Sequence, residues 1–145
     1  MGPGDLFVIL AAGFFATYVH LILALWAGRV GLARLDFSKG MAHLCFGESY
    51  DGHPPVALGF IVVHLNGMFF ALLYAYGIGR HLPGPPLVKG LLWGAILLAG
   101  SQLVFNPFVT KAGFFAAKHH PRAWMTAVLV HAVYGAMLGW LCPVL

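Results

Sequence analysis

Four runs of the chain, residues 6–28, 55–79, 87–109 and 123–145, are almost purely apolar. Every Asp, Glu, Lys and Arg falls outside them or at their edges. Each run is longer than the ~20 residues that a helix rising 1.5 Å per residue needs to cross about 30 Å of hydrocarbon. No other feature restricts the fold as much. Backbone amides in lipid must be satisfied within their own segment, so the runs are predicted to be helices. The expected fold class is an all-α integral membrane protein, a four-transmembrane-helix bundle in a single domain over residues 1–145.

Composition agrees: 61% of the residues are hydrophobic and 8% charged, against about a quarter charged in soluble domains. The net charge of +4 belongs to the loops, where basic residues signal topology and meet lipid headgroups. No nucleic-acid partner is expected. No Ser/His/Asp set, phosphate loop, carboxylate pair or nucleotide fingerprint is present, so a soluble type of hydrolase or kinase is not expected. The segment before the first run lacks a basic n-region, and that run is read as a retained helix, not a signal peptide.

The connections differ. Residues 29–54 form a long loop that carries Arg29, Arg34, Asp36, Lys39, Glu48 and Asp51. Residues 80–86 contain Pro83, Pro85 and Pro86 and must turn sharply. Residues 110–122 carry Lys111, Lys118, His119, His120 and Arg122. Six basic residues (Arg29, Arg34, Lys39, Lys111, Lys118, Arg122) thus share one face, with Arg80 and Lys89 on the other. By the positive-inside rule the richer face is cytoplasmic and both termini point outward. The expected location is a bacterial inner membrane. Cys45, in the long loop, and Cys142, at the end of the last run, would lie near opposite faces as free thiols.

An internal repeat is visible. The second run contains Val63, His64, Leu65, Asn66 and Gly67, and the fourth contains Val130, His131, Ala132, Val133, Tyr134 and Gly135. The first and third match more loosely, from Gly13 to His20 and from Gly94 to Gln102. Two tandem helix pairs are expected. On His64 with Gly67, His131 with Tyr134 and Gly135, and Leu35, Asp36 and Phe37 in the long loop, the chain resembles the YagU-like group of small four-span bacterial membrane proteins of unknown function. The resemblance covers nearly the whole chain and implies the fold; it brings no chemistry.

Counted from the span ends, His20, His64, Gln102 and His131 reach a common depth, roughly 12 Å below the cytoplasmic surface at 1.5 Å per residue. Each shares its helical stripe with small residues: His20 with Thr17, Ala24 and Ala27; His64 with Gly67 and Ala71; Gln102 with Gly94, Leu98 and Asn106; His131 with Ala127, Gly135 and Gly139. Small residues at spacing four mark helix contact in lipid, so the four side chains are expected to point inward. His64 and His131 would then face each other across the bundle axis.

Three readings of this layer stay open. In the first, neutral imidazoles pair with Gln102, Asn66, Thr17 or Tyr134 and fix helix register. In the second, His64 and His131 hold a b-type haem, or His20, His64 and His131 a copper or zinc ion, with Gln102 behind the ligands. Here the neighbouring glycines would give a flat macrocycle room. In the third, the layer is a proton or small-solute path. The loop histidines His43, His53, His119 and His120 and the methionines Met41, Met68, Met125 and Met137 match no ligand motif. Trp26, Trp93, Trp124 and Trp140 read as interfacial anchors, and Asn106 with Pro107 as a kink or end of the third helix.

The function expected from these residues is a non-catalytic accessory subunit of a larger respiratory or electron-transfer membrane complex. Its partners would be lipids and other membrane subunits, or further copies of itself. A haem- or metal-carrying electron-transfer protein is the alternative, and a conduit the second alternative.

Overall fold

The computed structural model describes residues 2–48 and 52–145; Asp51 of the long loop lies outside them. The described residues are helical, without strands. Helix α1 spans Pro3–Trp26 and runs on as a 3-10 turn, Ala27–Val30. Helix α2 is Phe37–Phe46. Helix α3, Val56–Leu73, continues through a π-helical turn, Tyr74–Ile78. Helix α4, Pro86–Ala99, continues as a π-helix, Gly100–Val109. Helix α5 is Ala123–Leu141. Four helical segments are long and apolar enough to cross a membrane: Gly4–Val30, Val56–His81, Pro86–Val109 and Ala123–Leu141.

Helix α2 is absent from the sequence reading, which treated residues 29–54 as loop and placed Cys45 there. Asp36 starts it by accepting a hydrogen bond from the Lys39 amide at 2.9 Å, the local bond that makes Asp a good N-cap. Its buried Ser38 and Ala42 lie against Gly59 of α3, where a Cβ would run into the Ser38 carbonyl. The exposed thiol of Cys45 is on this helix.

Helix α1 packs against both α3 and α5, α4 packs against α5, and α2 against α3. The α4–α5 crossing is backbone on backbone. A Cβ on Gly90 would strike the Gly135 carbonyl oxygen, and one on Gly94 the His131 carbonyl oxygen; Gly135 and Gly139 are blocked in turn by Gly90 and Pro86. Without a hydrophobic driving force between helices in lipid, such close approach maximises dispersion contact. Between α3 and α4 the gap is bridged by rings: Phe70 and Tyr74 lie 6.3 and 6.5 Å from Trp93.

Trp93 is therefore no interfacial anchor. It is 2% exposed, within the core that Ile9, Ala16, Ala71, Tyr74 and Leu138 share, and its indole nitrogen has no partner among the described residues. Trp140, in contrast, is 82% exposed. A second, smaller cluster of Ala33, Ala112, Ala116 and Ala123 ties the loops together at the other end. The Thr126 hydroxyl donates to the Ala33 carbonyl at 2.7 Å there, and the Arg122 guanidinium donates to the Gly31 carbonyl at 3.1 Å.

Candidate functional site

The three histidines of the long apolar helices do not form one cluster. His64 is buried on α3, and its ring sits 4.1 Å from Phe60 and 4.6 Å from Phe14, with Tyr18 at 6.4 Å. His20 faces α5 instead: its ring lies 5.4 Å from His131 and 6.3 Å from Tyr134, edge to face. The geometry of α1 explains the separation. At 3.6 residues per turn, Phe14 and Tyr18 point roughly 120–160° away from His20 around the helix. His64 meets one flank of α1 and His131 the other. Phe37, the first residue of α2, also meets His20, edge-on at 4.9 Å.

Hydrogen bonding departs from the expected pairing of imidazoles with Gln102, Asn66, Thr17 or Tyr134. His64 and His131 each place Nδ1 against the carbonyl four residues back, Phe60 at 2.9 Å and Ala127 at 2.8 Å. A carbonyl only accepts, so both Nδ1 atoms carry the proton, and a neutral ring keeps its lone pair on Nε2. The Nε2 of His64 is buried without a partner among the described residues. Thr17 donates to its own Gly13 carbonyl at 2.7 Å. Gln102 is bonded within its helix, accepting from Asn106 at 3.0 Å and donating to Ser101 at 3.0 Å. Tyr134 crosses between spans, donating to the Gly67 carbonyl at 2.6 Å.

The glycines beside the histidines offer no slot for a macrocycle. The face of Gly67 is filled by the Thr17 side chain and that of Gly135 by Gly90 and Gly94. With His64 wedged between Phe14 and Phe60 as well, the residues present do not fit a bis-histidine haem at His64 and His131. Nor do three His, Cys, Asp or Glu side chains gather as a metal-binding group among the described residues. What the chain does bring together is a pair, His20 and His131. A groove of about 670 Å³ at the opposite end, edged by Asp5, Lys89 and Trp140, includes none of these residues.

One family model spans residues 4–145, all four apolar helices and the whole polar layer. The chain belongs to DUF6789, a family of unknown function. No curated protein and no solved structure matches it. Membership in DUF6789 agrees with the expected small, uncharacterised protein and assigns no reaction to the layer. Sequence reasoning missed Phe37 and Phe14 as neighbours of the histidines. The sequence does hold a signal for Phe37, in the Asp36 cap that fixes where α2 begins.

Proposed function

We propose that the protein is a non-catalytic accessory subunit of a larger membrane assembly of the respiratory or electron-transfer kind. In this reading it is a four-helix bundle of two tandem helix pairs, with both termini outside the cytoplasm. The observation that carries the reading is the state of the π-helix Gly100–Val109. Its main contact outside α4 is the turn Phe114–Ala116, not another span. A Cβ on Gly100 would meet open space, and Leu103 and Val104 are exposed beside the Ser101–Gln102–Asn106 chain of hydrogen bonds.

A span that leaves Gly100, Leu103 and Val104 uncovered by its own chain suits contact with a second protein's helix. The glycines of α4 and α5 are used inside the chain, which narrows the docking face to this segment. A photo-crosslinking residue at Leu103 in native membranes should give a discrete protein adduct, and one at Leu65, exposed on α3, should not. A solitary monomer with no adduct at Leu103 would overturn the subunit role.

A further inference from the structure

We propose that His20 and His131 form a two-coordinate site for one soft monovalent cation, of which copper(I) is the physiological example. The rings approach to 5.4 Å on facing helices. With Nδ1 of His131 committed to the Ala127 carbonyl, its Nε2 lone pair is the free donor, and no described residue bonds to it. His20 makes no hydrogen bond to a described residue, so either of its nitrogens is available. Two neutral imidazoles side by side, with no described residue meeting the lone pair of either, leave two nitrogen donors for a shared cation.

The donor set selects the ion. Zinc(II) is almost always four-coordinate in proteins, and no third His, Cys, Asp or Glu joins the pair among the described residues. The neighbouring Tyr134 donates its proton to Gly67, and a neutral phenol is a weak ligand. A closed-shell copper(I) or silver(I) ion is satisfied by two nitrogen donors in a line. Its single charge also matters, because the Born cost of entering a low-dielectric interior scales with charge squared, about a quarter of that for a divalent ion. Phe37 meets His20 edge-on, with 4.9 Å between ring centres, and borders the pair with an apolar ring. The site binds copper already in its reduced state; no electron transfer is involved.

The test uses the full chain in lipid nanodiscs with copper(I) supplied anaerobically against a chromogenic copper(I) chelator. One copper per chain is expected, with linear two-nitrogen coordination by X-ray absorption. Affinity should fall at least about 100-fold in His20→Gln and in His131→Gln, since removing even an outer-shell partner costs 10–100-fold. His131→Met should rescue binding by returning a soft donor, which a merely structural histidine would not show. Surface variants His119→Ala and His120→Ala, and the buried His64→Leu, should keep one copper. Thermal melting checks that each variant is folded. No bound copper in the wild type, unchanged binding in the His20→Gln/His131→Gln double variant, or a shell of four donors would overturn the proposal. None of these outcomes bears on the crosslinking at Leu103.

Discussion

The hydroxyl of Tyr134 on α5 and the carbonyl oxygen of Gly67 on α3 are 2.6 Å apart and form a buried hydrogen bond between two spans. The same Gly67 receives the Thr17 side chain of α1, so three helices meet at one residue. Tyr134→Phe removes the bond and keeps the ring. The loss should be about 1 kcal/mol, because interhelical hydrogen bonds in membranes average less than that and rarely exceed twice it. Gly67→Val should be far worse, since the added side chain collides with Thr17. Unfolding in mixed micelles by a denaturing detergent measures both. Equal effects from the two variants would show that Gly67 is not a close contact.

At the α4–α5 crossing every added methyl meets backbone. Gly94→Ala and Gly135→Ala should each destabilise by about 1–3 kcal/mol, the usual cost of overpacking where neighbours cannot yield. Gly100→Ala, on the open face of the π-helix, should be neutral for folding and weaken only the crosslink at Leu103. If Gly100→Ala were as damaging as Gly94→Ala, the surroundings assigned to the two glycines would be wrong.

How much of this could be read from residues alone follows from what each inference rested on. The four apolar runs end within a few residues of Gly4–Val30, Val56–His81, Pro86–Val109 and Ala123–Leu141, because length and charge exclusion are properties of a segment by itself. The inward position of Gln102 and His131 follows from the same helical periodicity. Which histidine meets which does not. That depends on α1 standing between His64 and His131, a fact of packing order that no single helix encodes. Trp93 failed for a related reason: a tryptophan a few residues from a span end looks like an anchor until Phe70 and Tyr74 arrive from another helix.

His64 tests the structural role of the layer. Its Nε2 is buried and unpartnered, and an unmet buried acceptor costs about 1–3 kcal/mol. His64→Leu should therefore leave stability unchanged or raise it by about 1 kcal/mol, with the leucine filling the space between Phe14 and Phe60. A lower unfolding midpoint would mean that the imidazole has a partner in the membrane that this arrangement does not supply.

The two thiols should separate cleanly. Cys45 is exposed on α2, whereas Cys142 is buried and burial pushes its thiol up to about 12. Maleimide attacks as the thiolate, so near neutral pH it should label one site per chain, and Cys45→Ser should abolish labelling. With the proposed orientation, a membrane-impermeant maleimide should reach Cys45 in inverted vesicles and not in intact cells. Labelling from outside would reverse the topology.

The glycine-on-glycine seam between α4 and α5 also bears on how the molecule comes together. It draws nothing from α1 or α3, so the last two spans hold every surface needed to close on each other as they leave the insertion machinery. His20 and His131 belong to opposite sides of the joint that remains. The two rings therefore meet only where the α1–α3 pair is seated on the α4–α5 pair, and anything they share is held by that joint.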